Sequence, residues 1–136
     1  MTLQRGRPKS SERKPKLMTD VEIVIMNVLW NCGEATVKEV VEKLPQREAR
    51  KLTTVATFLK IMDKKGFVTS RMTGRSLAYS PTTERESYQL IALKDLRKRV
   101  FNGSTIELVG QCLDEFQFGR CELEQLLRQI EYRKPT

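Results

Sequence analysis

The stretch LTTVATFLKIMDKKGFVTSRMTGRSLAYSP, Leu52 to Pro81, changes its hydrophobic period from that of a helix to that of a strand. In its first half the apolar positions have the i, i+3, i+4, i+7 spacing of one helix face, and Gly66 follows the last turn. That face consists of Val55, Phe58, Leu59 and Met62. The residues 67–71 and 77–80 alternate with period 2 around Thr73-Gly-Arg-Ser76, a turn composition. The stretch predicts a helix over 52–65 followed by a β-hairpin.

Two capping boxes upstream predict two further helices. Thr19-Asp-Val-Glu22 and Thr36-Val-Lys-Glu39 each place a hydroxyl three residues before a carboxylate, the spacing at which both side chains satisfy free amides of a helix start. The first helix should end at Gly33 and the second should stop at Pro45. Three helices followed by a hairpin is the order of a winged helix-turn-helix.

From Thr83 the chain is predicted to be helical again. Capping-box spacing recurs at Thr83–Glu86 and Ser104–Glu107, and Asn102-Gly103 separates the two. Three helices within about 55 residues can bury little by themselves, so we expect their apolar stripes to lie against a second copy of the chain. The predicted dimerisation residues are Leu90, Leu93, Leu96, Val100, Ile106, Leu108, Val109, Leu113, Phe116, Leu123, Leu126, Leu127 and Ile130.

The formal charge of +8 is concentrated in the front of the chain. Residues 1–17 hold six basic side chains and one acidic side chain, 18–81 hold ten and seven, and 82–136 hold nine of each. A polyanionic partner should therefore be met by the first 81 residues, and a neutral partner by the rest.

Duplex DNA is the partner that this scaffold predicts. The second helix of a helix-turn-helix enters the major groove by its N-terminal end, where side chains reach base edges and free amides face phosphates. Threonines suit base edges and thymine methyls, and lysines suit phosphates. The predicted recognition-helix contacts are Arg50, Lys51, Thr53, Thr54, Thr57, Lys60 and Lys64. On the hairpin we expect Arg75, at the tip, and more weakly Arg71 to contact DNA, and Tyr79 to pack in the interior.

The first residues carry a second candidate DNA contact. Arg5-Gly-Arg-Pro8 is the core of an AT-hook, whose arginines lie in a narrow A·T-rich minor groove while glycine avoids a clash and proline keeps the chain extended. The predicted tail contacts are Arg5, Gly6, Arg7, Pro8 and Lys9. A solvated basic tail is the alternative interpretation.

The expected fold is thus mainly α, a winged helix-turn-helix (three helices plus a β-hairpin wing) followed by a helical dimerisation module. Residues 1–16 are assigned to a disordered basic AT-hook-like tail, 17–82 to the winged-helix DNA-binding domain and 83–136 to the helical dimerisation domain.

Several segments in order resemble the penicillinase repressor (BlaI/MecI/CopY-type) family of winged-helix transcriptional regulators. They are MTDVEIVIMNVLW, GEATVKEVVEKL, TTVATFLKIMDKKGFV, GRSLAYSP and RVFNGSTIELV. The resemblance implies a homodimeric repressor on a palindromic operator, often near β-lactam-resistance genes, that leaves DNA when a membrane sensor protease triggers its cleavage. It also implies DNA contacts at Thr53, Thr54, Thr57 and Arg75.

Three positions depart from the family pattern. Ile61 stands where relatives commonly carry arginine, and Leu52 where an aromatic residue is frequent. The Asn-Phe pair at which antibiotic-responsive members are cleaved aligns with Gln111-Cys112, and the C-terminal Cys-x-Cys pairs of copper-responsive relatives are absent. The resemblance therefore leaves the inducing signal open.

Other classes of protein are disfavoured by composition. The chain contains no histidine, which removes Ser-His and Cys-His nucleophile pairs, and it has no glycine-rich phosphate loop, so we predict no enzyme, no cofactor and no metal site. It has no secretory signal and no apolar run of spanning length, which indicates a cytoplasmic protein. The alternatives are a nonspecific architectural DNA-binding protein and a thiol- or metal-responsive regulator using Cys32, Cys112 and Cys121.

Overall fold

The computed structural model describes residues 16–133 and 135, and its first two helices begin at the predicted capping boxes. In helix α1 (Asp20–Cys32) the Thr19 hydroxyl accepts a hydrogen bond from the Glu22 N–H at 3.3 Å, and the Glu22 carboxylate accepts one from the Thr19 N–H at 2.9 Å. Helix α2 (Val37–Lys43) has the same reciprocal pair between Thr36 and Glu39. Local sequence therefore defines both helix starts, as predicted.

Helix α3 (Leu52–Lys65) has the predicted bounds and ends at Gly66, which adopts the left-handed conformation with φ +89°. Strands β2 (Val68–Thr73) and β3 (Ser76–Pro81) follow as an antiparallel hairpin. Its two-residue turn has Gly74 at the first central position with φ +63°, the glycine position of a type II′ turn. The predicted hairpin is confirmed, with each strand slightly longer than expected.

A strand that the sequence pattern does not predict completes the sheet. Strand β1 (Ala35–Thr36) pairs with β3 through Ala35↔Tyr79 and Thr36↔Ala78, so the sheet order is β1-β3-β2. Two residues are too short to show alternation, and β1 forms because β3 offers it a free edge. A 3-10 turn at Gln46–Glu48 after Pro45 was also not predicted.

The core of this part of the chain lies between the three helices and the sheet. Ile25, Met26 and Leu29 of α1 are fully buried, as are Val40 of α2 and Val55, Leu59 and Met62 of α3. Tyr79 of β3 is also buried at 3% exposure, which confirms that it packs in the interior. Mainly helical content with a small antiparallel sheet confirms the winged-helix fold class.

Three further helices follow: α4 (Arg85–Arg99), α5 (Thr105–Glu115) and α6 (Arg120–Tyr132). The Ser104 hydroxyl caps α5 by accepting from the Glu107 N–H at 3.1 Å, and Asn102 and Gly103 before it both have positive φ. Helix α4 begins at Arg85, one residue later than its predicted box requires. The Thr83 carbonyl accepts a hydrogen bond from Trp30 Nε1 at 2.9 Å. None of the helices over 16–133 is long and apolar enough to cross a bilayer.

The chain divides between Leu93 and Lys94 into two compact units, whereas the sequence places a boundary after residue 82. The first unit extends into α4 because Tyr88 is buried there and its hydroxyl accepts from the Met18 N–H at 2.7 Å. Arg85 also lies over the Trp30 ring, 5.5 Å from its centroid, and donates to the Asn31 side chain at 2.8 Å. The start of α4 is thus anchored to α1.

A buried ion pair joins the start of α1 to the end of α3. The Glu22 side chain is 2% exposed, and its carboxylate lies 2.8 Å from the Nζ of Lys65, which keeps 41% of its side chain exposed. Burial alone would raise the pKa of Glu22, but hydrogen bonds from Lys65 and from the Thr19 N–H outweigh it and hold that pKa below its ordinary value. Glu22 therefore serves both the helix cap and the tertiary fold.

Replacing Lys65 with methionine should lower the free energy of unfolding by about 2 to 4 kcal/mol at neutral pH, because it leaves the Glu22 carboxylate buried without its cation. In the wild type the low pKa of Glu22 stabilises the fold above the ordinary glutamate pKa of 4.5, and this stability is lost as the pH falls below it. The difference between wild type and Lys65→Met should therefore shrink as the pH falls from neutral to below 4.5. Urea unfolding at both pH values measures it.

The matched control for this prediction is Lys64→Met. Lys64 is the neighbouring lysine on α3 and is exposed. Its replacement should change the free energy of unfolding by no more than about 0.5 kcal/mol, as is usual for surface positions. Equal effects of the two substitutions would show that the buried ion pair contributes nothing specific.

Candidate nucleic-acid interface

The burial of one face of α3 determines which side chains the helix presents outward. Because Val55, Leu59 and Met62 are fully buried, Thr53, Thr57, Lys60 and Lys64 are exposed and Thr54 is half-buried. The predicted contacts of this helix therefore lie on its accessible side.

The Thr57 hydroxyl is already engaged within the helix. It donates to the carbonyl oxygen of Thr53 at 3.0 Å. The side chain consequently presents its methyl group and the acceptor lone pairs of its oxygen outward, which suit a thymine methyl and the amino groups of adenine or cytosine. Ile61, one turn later, is 41% exposed and continues this apolar character along the helix.

The start of α3 has free backbone donors. Lys51 occupies the N-cap position without a side-chain hydrogen bond to the helix, and the first turn contains no acidic residue. An uncapped first turn with a helix dipole behind it favours a phosphate oxygen. Arg50, just before it, donates to the Ala49 carbonyl at 3.3 Å, and its Nη2 lies 3.7 Å from Oε1 of Glu48. Part of the hydrogen-bonding and charge-pairing capacity of Arg50 is therefore used within the protein.

The two arginines of the hairpin differ in their surroundings. Arg71 forms a bidentate ion pair with Glu34, with Nε–Oε2 at 2.6 Å and Nη2–Oε1 at 2.8 Å. This pairing raises the pKa of Arg71 and lowers that of Glu34. Arg75 is exposed at the turn, and no carboxylate of the described residues lies within 4.0 Å of it. Arg75 is therefore the freer cation of the hairpin.

Some cations of the basic segment from Arg47 to Arg75 are paired with carboxylates in the structure, so fewer are available to a ligand than the charge count indicates. Lys65 pairs with Glu22, Arg71 with Glu34, and Arg50 lies near Glu48. Within 16–133 and 135, the remaining cations of the segment have no carboxylate within 4.0 Å. They are Arg47, Lys51, Lys60, Lys64 and Arg75. We define these five residues as the free basic set.

Sequence reasoning missed one basic residue on the same side of the domain. Lys38 of α2 lines a groove together with Lys60 and Arg75, although it lies outside the segment that charge counting selected. Lys38 is exposed and lies four residues before Glu42 on α2, a spacing that is common on solvated helix faces and does not indicate a function. Only the packing of α2 against α3 brings Lys38 to this groove.

The predicted tail contacts, Arg5 to Lys9, lie outside the described residues. Lys16 Nζ donates to the carbonyl of Lys65 at 2.9 Å, and Met18 is buried. Lys16 therefore contacts the C-terminal end of α3.

The predicted dimerisation residues are mostly exposed in the single chain. Leu108 is buried and Leu126 is half-buried. The others are between 40% and 81% exposed, and they are Leu90, Leu93, Leu96, Val100, Ile106, Val109, Leu113, Phe116, Leu123, Leu127 and Ile130. So many large apolar side chains at high exposure are typical of a surface that another protein covers.

The three cysteines lie apart. Cys32 is exposed and accepts from Lys43 Nζ at 3.6 Å, Cys112 is half-buried in α5, and Cys121 is exposed in α6. No group of three or more Cys, Asp or Glu side chains within the described part of the chain could hold a metal ion.

Comparison with known proteins adds the family. A family model described as "Penicillinase repressor" matches residues 18–132. The penicillinase repressor of Bacillus licheniformis is 25% identical over 122 residues, which cover 90% of this chain and 95% of that protein. The methicillin resistance regulatory protein MecI of Staphylococcus aureus (strain N315) is 20% identical over 115 residues, covering 85% and 94%. The solution structure of the DNA-binding domain of the repressor BlaI covers 56% of this chain and 92% of that one, at 26% identity and a TM-score of 0.48.

Proposed function

This chain belongs to the penicillinase repressor family, and we propose that it acts as a homodimer whose two winged-helix domains occupy the two halves of a palindromic operator. Family membership makes the chain a DNA-binding transcriptional repressor, as predicted. A family of repressors is not a family of enzymes, which confirms the exclusion of catalysis.

The observation that carries the proposal is the outward face of α3. An uncapped helix start is followed by Thr53, Thr54 and Thr57, and three cations of the free basic set, Lys51, Lys60 and Lys64, belong to the same helix or its N-cap. In our proposal the threonines meet base edges in the major groove, while Lys51, Lys60 and Lys64 bind phosphates. Arg50 contributes a phosphate contact beside Glu48. On the hairpin Arg75 reaches DNA directly, and Arg71 contributes once it releases Glu34.

The proposed dimer rests on the exposed apolar side chains of the C-terminal helices. A two-fold pairing of these surfaces would bury them. The same two-fold axis would then relate the two copies of α3 in the dimer. Winged domains related by a two-fold axis read a palindrome whose half-sites lie about one helical turn, 34 to 36 Å, or a multiple of it apart. We also place the protein in the cytoplasm, where a bacterial repressor meets the chromosome.

The regulated genes are proposed from the relatives. Two of them are named for penicillinase repression and for methicillin resistance, so we propose genes of the β-lactam-resistance type. A membrane sensor protease is the partner that family analogy adds. Its cut would fall between Gln111 and Cys112, inside α5, and a protease needs extended backbone, so α5 would first have to open locally.

Selection of bound sites from random DNA, followed by affinity measurements, tests the proposed function. We expect one two-fold symmetric sequence to emerge and to bind at least about 10³-fold more tightly than scrambled duplex. Equal affinity for selected and scrambled duplexes would instead identify a nonspecific architectural DNA-binding protein.

Deleting residues 1–15 should weaken operator binding about 10-fold and lower the slope of log K against log salt by about 2 to 4, because the tail would no longer reach phosphates and the minor groove. The deletion keeps Lys16 and its hydrogen bond to Lys65. The eight Cα–Cα steps from Pro8 to Lys16 can span about 26 Å when the chain is extended. Titrations at several salt concentrations measure both quantities.

Two charge-matched variants separate an AT-hook from a general basic tail. Arg5→Gln with Arg7→Gln removes the hook arginines, and Arg13→Gln with Lys14→Gln removes the same charge outside the hook. On operators with A·T-rich flanks, the first pair should weaken binding more strongly than the second. On operators without such flanks, the two pairs should have equal effects. If both pairs behave alike on all flanks, the tail contributes charge alone.

A further inference from the structure

A groove of about 420 Å³ opens between the start of α2, the outer side of α3 and the hairpin turn. Three cations line it: Lys38 of α2, Lys60 of α3 and Arg75 of the turn. None of the described side chains that line it is acidic. The groove is therefore an electropositive channel that three separate elements build.

Two large apolar side chains belong to the accessible lining, beside the polar Thr36 and Ser76. Leu52, at the first position of α3, is 50% exposed, and Leu77 of β3 is 37% exposed. A nucleic-acid strand presents the matching combination, since anionic phosphates alternate along it with the apolar carbons of deoxyribose. A small inorganic anion would use the cations and leave the two leucines in water.

We propose that one backbone strand of the operator lies in this groove, with a phosphate among Lys38, Lys60 and Arg75 and a deoxyribose against Leu52 and Leu77. The inference rests on the proposed function and extends it, because α2 becomes a third DNA-contacting element through Lys38. The recognition helix and the hairpin then contact the same DNA strand. Lys38 and Leu77 join the interface, although sequence analysis assigned neither to it.

A phosphate contact has a defined signature. It changes affinity and salt dependence by similar amounts on every sequence, and it leaves the preferred sequence unchanged. Lys38 should behave in this way, in contrast to the threonines of α3.

The experiment compares Lys38→Gln with Lys43→Gln in the full chain. Both lysines belong to α2 and both variants lose one positive charge, but Lys43 lies outside the groove lining and points to Cys32. Lys38→Gln should lower the slope of log K against log salt by about 0.9 and reduce operator affinity several-fold. Lys43→Gln should leave both within error. Lys38→Glu and Lys43→Glu repeat the comparison with a larger change of charge, and site selection with Lys38→Gln should return the wild-type sequence.

The outcomes separate this inference from the proposed function. Suppose that wild type prefers one symmetric site, but that Lys38→Gln and Lys43→Gln change the slope of log K against log salt by the same amount. The groove then does not bind the DNA backbone, and the proposed function stands. If wild type prefers no site, the proposed function itself fails.

Discussion

Replacing Thr54 and Thr57 with glutamate is expected to reduce operator affinity at least about 100-fold, because two base-edge contacts worth about 1 to 3 kcal/mol each are lost and two carboxylates face the phosphates. Thr54 is the third residue of α3 and Thr57 is exposed. A carboxylate in the first turn is favourable to the helix dipole, so the fold should survive the change. Fluorescence anisotropy on the selected operator measures the loss, and circular dichroism monitors the fold.

The control for this prediction carries the same change of net charge elsewhere. Asn27 of α1 and Ser87 of α4 are both exposed and lie outside the proposed interface. The pair Asn27→Glu with Ser87→Glu should cost only the long-range electrostatic part of the affinity, roughly 10-fold or less at physiological salt. If the threonine variant binds as tightly as this control, α3 is not the recognition helix.

Replacing Ile106 and Ile130 with glutamate is expected to separate the dimer and to lower affinity for the full palindrome by about 10² to 10⁴, the range lost when two linked binding events become independent. These side chains are 81% and 66% exposed in the single chain, so the monomer should remain folded. Binding to an isolated half-site should be unchanged. Analytical ultracentrifugation gives the assembly state, and titration of full-site and half-site duplexes gives the two affinities.

Gln125→Glu is the control on the same helix as Ile130. Gln125 is exposed, and the change adds one negative charge without removing an apolar side chain. It should leave the dimer and the full-site affinity intact. A wild-type protein that sediments as a monomer, or a double variant that binds the palindrome at wild-type affinity, would contradict the proposed dimer.

Local signals in the sequence were sufficient for the helices and the hairpin. The 3.6-residue period between Leu52 and Lys65 and the glycine after it predict α3, and the helix has these bounds in the structure. Capping boxes at Thr19 and Thr36 define the starts of α1 and α2. These features involve residues within four positions of each other, so pattern and spacing reveal them.

The candidate interface was predictable where it depends on the exposed side of one helix. Once the buried face of α3 is known, the threonines and lysines opposite it follow from helix geometry. Whether each cation is paired with a carboxylate was not predictable. Lys65 and Arg71 belong to the same basic segment as Arg75, yet their carboxylate partners lie 43 and 37 residues away in the chain.

Helix periodicity, capping and ordered motifs are short-range properties, so they reveal the order of elements, the accessible face of α3 and the family. Three other features depend on the folded chain: β1 joins the sheet, Glu34 pairs with Arg71, and Lys38 lies with Lys60 and Arg75 around one groove. These pairings join residues far apart in the chain. Their geometry exists only after the core has closed, since side-chain contacts across a fold depend on packing that no local pattern encodes.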